Sequence, residues 1–280
     1  MRLQGGGKRG VVIPVLPAVR DFLAFIRVET CLFISGMAAT GYLIFSPLSP
    51  SVMYPFFTVF FLSAAAYSYN HLTDRREDLI NNKRLNRFVT NGKGPWLVAV
   101  LIFLSIYFSL RLPESTFLVY LVWVGASLAY SAFGVKKTLL VKNLYTAFVM
   151  GIAFLIGAMA QAAFTKSMLI YYLAVSSFGF NINLLGDLRG YRGDKLTGIN
   201  TIPVRFGYEV GKKVFYVIFS VFLVSVFILN LKFLYPLALF VILAFFFLKS
   251  DELIKVRYSI LLSFIVLPAV IILKKTAGGI

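Results

Sequence analysis

The sequence predicts an all-α integral membrane protein: nine transmembrane helices packed as one bundle, with the amino terminus in the cytoplasm. Three observations carry this expectation. Of the 280 residues, 59% are apolar and only 14% charged, against roughly a quarter charged in a soluble domain. The mean hydropathy is +0.85. Apolar runs of the length that crosses a bilayer, about 20 residues, recur along the chain between polar breaks. This composition excludes a soluble globular enzyme, a disordered chain and a collagen-like fibre. One cysteine, Cys31, and one histidine, His71, allow no internal disulfide and supply almost no ligands for zinc or haem. Any metal must be held by oxygen.

The tail of residues 1–20, with Arg2, Lys8, Arg9 and Arg20, is short and basic. The apolar run behind it is too long and too late for a cleaved signal peptide. The first two crossings are expected at 22–45 and 52–72, followed by a loop with Arg75, Arg76, Lys83, Arg84, Arg87 and Lys93. Crossings three and four fall at 95–112 and 115–133, and Lys136, Lys137 and Lys142 come after them. Crossings five and six, at 139–163 and 167–186, lead into a second long loop carrying Arg189, Arg192, Lys195, Arg205, Lys212 and Lys213. The last three are expected at 213–231, 233–248 and 258–273, with Lys249, Lys255 and Arg257 before the ninth. The opposite face has Arg111, Lys166, Lys232, Lys274 and Lys275, so the positive-inside rule puts the amino terminus in the cytoplasm and the carboxyl terminus outside. Topology also accounts for the net charge of +17, which therefore predicts membrane lipid, not nucleic acid, as the partner. Gly36, Gly41, Gly151 and Gly157 are expected at close helix contacts. No repeat or soluble linker divides the chain, so 1–280 reads as a single membrane-embedded domain.

The acids are distributed unevenly. Of the 11 Asp and Glu, Asp74, Glu77, Asp78, Asp187 and Asp194 fall in the two longest cytoplasmic loops. Asn70, Asp74 and Asp78 stand at four-residue steps, so a helix continuing through them would present one carboxamide and two carboxylates on one face. That oxygen set suits Mg²⁺, and it equally suits a solvated helix end with ion pairs to Arg75 and Arg76. Asp187 and Asp194 are seven apart, about two turns, and would also share a face if their segment is helical. Four carboxylates gathered without counter-charge would repel and raise one another's pKa values. A pair of Mg²⁺ ions bridged by a diphosphate would supply that counter-charge, with Arg and Lys binding the remaining phosphate oxygens.

These residues resemble the UbiA superfamily of intramembrane prenyltransferases, and the resemblance covers most of the chain. The first family motif, NxxxDxxxD, is matched at Asn70, Asp74 and Asp78, with Arg75 at the family's arginine. The second is similar to the run from Asp187 through Gly193-Asp194, Gly198, Thr201 and Pro203 to Gly207. Between them Tyr130-Ser131, Lys136-Lys137 and Asn143 resemble the YSxxxK segment and the asparagine after it. There are two departures. Thr30 stands where many members have an asparagine three positions after the arginine matched by Arg27, and Gly190 stands where the commonest second motif has an aspartate. Chlorophyll-synthase-like members also lack that acid.

The resemblance implies transfer of an isoprenyl group from its diphosphate to a lipophilic acceptor, with Mg²⁺ as cofactor, inside a nine-helix bundle whose active site faces the cytoplasm. It implies Asn70, Asp74 and Asp78 as ligands of one Mg²⁺ and Asp187 and Asp194 as ligands of the other. Asp74, Asp78, Asp194 and Lys136 are the catalytic candidates. Arg27, Arg75, Tyr130, Ser131, Lys137, Asn143, Arg192 and Lys195 are the substrate-binding candidates. Arg27 is a charge about five residues inside the first expected crossing, where it costs about a few kcal/mol unless paired or hydrated. The second motif looks most like members that handle geranylgeranyl chains, which implies geranylgeranylglyceryl phosphate as acceptor. Hydroxybenzoate or a naphthoate is the alternative acceptor, and a scaffold or transporter of the same fold is the alternative without chemistry.

Overall fold

A computed structural model describes residues 15–73, 75, 79, 85–132 and 138–277. Among them all regular structure is helical. In chain order the helices are α1 (Val15–Ile26), α2 (Val28–Phe45), α3 (Met53–Thr73), the one-turn α4 (Arg87–Thr90), α5 (Gly94–Ser109) and α6 (Glu114–Ala132). Then come α7 (Val141–Ala158), α8 (Lys166–Thr197), the short α9 (Ile202–Phe206), α10 (Tyr208–Ile228), α11 (Tyr235–Lys249) and α12 (Leu253–Thr276). Seven spans among the described residues are long and apolar enough to cross a membrane: those of α2, α3, α7, α8, α10, α11 and α12. The helices α5 and α6 are apolar but shorter. Each expected crossing overlaps one of these nine, and the chain is a multi-pass membrane protein.

Two expectations are corrected. The first crossing does not run unbroken from residue 22, because Arg27 adopts φ 51°, ψ 55° and separates α1 from α2. A left-handed backbone costs a non-glycine residue about 1–2 kcal/mol, and the gain is that the Arg27 charge leaves the apolar helix interior and stands at its edge. The second acidic segment is helix where a loop was expected. The 32 residues of α8 span about 48 Å against a hydrocarbon thickness of about 30 Å. Its end therefore projects beyond the apolar layer and carries Asp187 and Asp194. The left-handed residue Gly198 (φ 70°) stops it, donating its N–H to the Asp194 carbonyl.

Close helix approach sets the centre. A Cβ on Gly157 would run into the backbone of Ala38, and one on Gly41 into the carbonyl of Phe154, so α2 and α7 meet at backbone distance. Gly151 lies similarly against Ser176 and Tyr172 of α8. Small residues are what allow membrane helices to approach this closely. The main core surrounds these contacts, with Met37, Tyr42, Phe154, Ile156, Phe178, Phe219 and Phe222 among its fully buried side chains. A second, smaller cluster (Phe25, Ile26, Cys31, Ala64, Ala65, Val89, Leu101) fixes α1 and α4 on α3 and α5.

The last helix packs against the first crossing. Arg257 of α12 pairs with Glu29 at the start of α2 (3.2 Å), and Lys275 donates to the Ser46 carbonyl at its end (2.5 Å). The two helices therefore run parallel. Lys275, which the charge bias left on the sparsely charged face, has a capping role there.

Candidate active site

A cavity of about 1130 Å³ lies among α2, α3, α6, α7, α8 and α12. Its polar wall carries Arg27, Asn70, Lys142, Asn183, Arg189, Asp194 and Arg257. Its apolar wall is built from Phe33, Ile34, Trp123, Val149, Met150, Ile260 and Leu261, with Tyr67, Tyr130 and Tyr145 between the two. Tyr130 stacks on Tyr145 with ring centroids 3.9 Å apart, and Tyr145 shares a 2.8 Å hydrogen bond with Ser127. Arg27, turned inward by its backbone kink, holds its guanidinium 5.3 Å from the centre of the Tyr67 ring.

Asp187 is 1% exposed. It sits where α8 crosses the first turn of α7, forming an ion pair with Lys142 and accepting a 3.1 Å hydrogen bond from the Asn143 amide. Both carboxylate oxygens are thereby engaged. A buried carboxylate needs such partners. Lys142 keeps 29% of its side chain exposed and lines the cavity, so the buried acid holds a cation on the cavity wall. Asp194, two turns further along α8, also lines that wall. Gly190 lies between them, and a Cβ there would be 3.3 Å from an Asp194 carboxylate oxygen.

The structure thus brings Arg27, Asn70, Tyr130 and Asp194 together around one cavity. Asn143 is buried behind it, held to Asp187. Arg192 and Lys195 are exposed on α8 outside the cavity lining, with Lys195 over the Tyr191 ring at 5.9 Å. Arg75 is exposed beyond the end of α3, and Ser131 lies in the last turn of α6. Asp74, Asp78, Lys136 and Lys137 lie outside the described residues. Sequence reasoning missed Lys142, Arg189 and Arg257, which it counted as topological charges, and Tyr67, Trp123 and Tyr145, which look like any other membrane aromatic.

The family model for the UbiA prenyltransferase family matches residues 30–259. The chain belongs to the UbiA prenyltransferase family. The UbiA fold is equally plain in solved structures. A UbiA homologue from Archaeoglobus fulgidus bound to GPP and Mg²⁺ aligns with a TM-score of 0.76 at 21% identity, over 92% of this chain and 99% of that one. A digeranylgeranylglyceryl phosphate synthase gives a TM-score of 0.65 at 22% identity, over 90% and 99%. A UbiA homologue from Aeropyrum pernix K1 gives 0.66 at 17%, also over 90% and 99%. None of the curated proteins matches.

The residues suit a hard cation. Among the described residues Asp194 is the one carboxylate on the cavity wall, and Asn70 brings a carboxamide oxygen to the same cavity. Such oxygen donors fit Mg²⁺, which completes its shell with water and phosphate.

Proposed function

We propose that this protein transfers an isoprenyl group, geranylgeranyl by preference, from its diphosphate to the hydroxyl of a lipophilic acceptor, geranylgeranylglyceryl phosphate. The observation that carries the reading is one cavity with a cationic, carboxylate-bearing mouth and an aromatic interior. In this reading nine helices cross the membrane, with the amino terminus and the cavity mouth in the cytoplasm.

The diphosphate sits at the mouth. Lys142 and Arg189 contact its oxygens and Arg27 lies toward the cavity interior, while the family resemblance assigns Arg75, Lys136 and Lys137 as further phosphate-binding candidates. Asn70, Asp74, Asp78 and Asp194 would hold Mg²⁺, and the bound ion would supply positive charge against the leaving diphosphate. Asp187, expected as a ligand of a second Mg²⁺, has both carboxylate oxygens engaged by Lys142 and Asn143, and in this reading it serves by fixing Lys142. The allylic C–O bond breaks and its electron pair leaves with the diphosphate. The acceptor hydroxyl oxygen bonds to the allylic carbon, and its proton passes to the released diphosphate. Tyr67, Tyr130, Tyr145 and Trp123 face the developing cation and keep water from it.

The test is transfer of radiolabel from geranylgeranyl diphosphate by detergent-purified protein with Mg²⁺, offering geranylgeranylglyceryl phosphate and hydroxybenzoate in parallel, with Asp74→Ala as the blank. Product on the glyceryl acceptor alone is expected. Product on the aromatic alone moves the assignment to an aromatic acceptor. Retention of activity by Asp74→Ala rejects the mechanism.

A further inference from the structure

Beside the main cavity runs a second groove of about 690 Å³, between α1, the start of α2 and α12. Its apolar side is Val19, Leu23, Ala24 and Val28, and its polar side is Arg20, Arg27, Glu29, Thr30 and Arg257. Arg27, Thr30 and Arg257 line both spaces, so the groove and the cavity meet at these side chains. Three guanidiniums face one carboxylate. Glu29 is 3.2 Å from Arg257, leaving Arg20 and Arg27 without a carboxylate in ion-pair range among the described residues. Val19 and Leu23 remain 47% and 38% exposed beside these charges. The groove is thus anion-seeking at one edge and lipid-compatible at the other.

We propose that this groove seats the phosphate of the acceptor lipid. Arg20 and Arg257 bind the phosphate monoester, Arg27 bridges it to the cavity, and the isoprenoid tail lies against Val19 and Leu23. Guanidinium is suited to the task because its planar fork takes two phosphate oxygens at once. Glu29 holds Arg257 while the groove is empty and gives it up to the phosphate. With its phosphate anchored there, the acceptor's glycerol end faces the shared wall and the donor chain beyond it. The donor diphosphate and the acceptor phosphate then occupy separate cationic sites, which avoids placing both anions at the metal-binding mouth. This assignment rests on the acceptor reading above and explains how a phosphate-bearing lipid is chosen over an uncharged one.

The experiment compares kcat/KM for geranylgeranylglyceryl phosphate and for geranylgeranylglycerol in wild type, Arg20→Gln, Arg257→Gln and Glu29→Gln. Donor binding is followed separately by quenching of Trp123, which lines the cavity. Losing one charge-assisted contact should lower the preference for the phosphorylated acceptor about tenfold or more in each arginine variant. Glu29→Gln, which releases Arg257, should raise it. An unchanged preference in both arginine variants overturns the proposal, as does use of neither acceptor by protein that still binds donor. Loss of donor binding in wild type instead overturns the function itself. Native mass spectrometry supplies the last arm. Retention of phosphatidylglycerol equal to that of the phosphorylated acceptor, lost in the same variants, makes the groove a general lipid site and overturns the assignment.

Discussion

Asp187 illustrates how a single acid can be recognised in sequence while its partners are not. Its motif position is visible in sequence, but the partner that takes its charge, Lys142, comes 45 residues earlier in the chain and looks like any other lysine between apolar runs. Only the crossing of α7 and α8 places them together. Asp187→Ala leaves the Asn143 amide buried and Lys142 unpaired, and unfolding in detergent should register a loss near the lower end of the about 3–5 kcal/mol that breaking a buried pair costs. Lys142 can turn to water in the cavity, which limits the penalty. Lys142→Met keeps the packing and removes the charge. Its expected effect is a roughly tenfold weaker binding of geranylgeranyl diphosphate, measured by Trp123 fluorescence. Gly190 invites the opposite change. A carboxylate introduced there by Gly190→Asp lies beside Asp194, so repulsion lowers the stability of the metal-free protein and divalent ions bind more tightly. Mn²⁺ titration by paramagnetic resonance measures the second effect, and a thermal melt in chelator the first.

At the scale of helices, most of the architecture was legible because apolar runs and basic breaks alternate along the chain. What periodicity could not register was backbone geometry. Arg27 sits within a continuous apolar stretch, and nothing in its neighbours signals a left-handed residue. The end of α8 was missed for the converse reason: its polar letters read as loop, although Gly198 marks the true stop. Both features aim charges at the cavity. Arg27→Gly retains the kink without its strain and deletes the guanidinium. Its melting temperature should match or exceed that of wild type, while transfer falls at least tenfold. Gly198→Val puts a β-branched residue in the left-handed region at a cost of about 1–2 kcal/mol. The last turn of α8 should fray, and hydrogen exchange should rise from Asp194 onward without a change in the core of α7.

For the whole molecule, the parallel arrangement of α2 and α12 constrains topology. An odd number of crossings must lie between them, and the five long spans there already make one, so α5 and α6 either both cross or both stay out. Cysteine labelling decides. The native Cys31 is fully buried, and single cysteines at Lys93 and at Arg111 between α5 and α6, both exposed, should react from opposite sides of the membrane if both helices cross and from the same side if both stay out. The turn between α11 and α12 also carries a pH-sensitive tie. Lys212 hydrogen-bonds Asp251 at 2.9 Å and holds its carboxyl below the usual carboxylate range. A depressed carboxylate contributes its stability above the unfolded-state pKa, and that contribution fades as pH falls through the folded value. Asp251→Asn, which tolerates the left-handed backbone there, should therefore melt slightly below wild type at neutral pH. The two should converge at a pH below about 4.

The double tie of α12 to α2 has a consequence for how the protein is made. Its partners are the two ends of the helix that emerges earliest among the crossings, so α2 must wait in the bilayer until α12 is inserted. Until then the bundle is a crescent whose inner face is wetted by lipid, and neither Arg257 nor the wall of Ile260 and Leu261 exists to enclose the chamber. Biogenesis therefore withholds reactivity from the nascent chain. In the proposed reaction, a carbocation can be sheltered only after the final helix has docked.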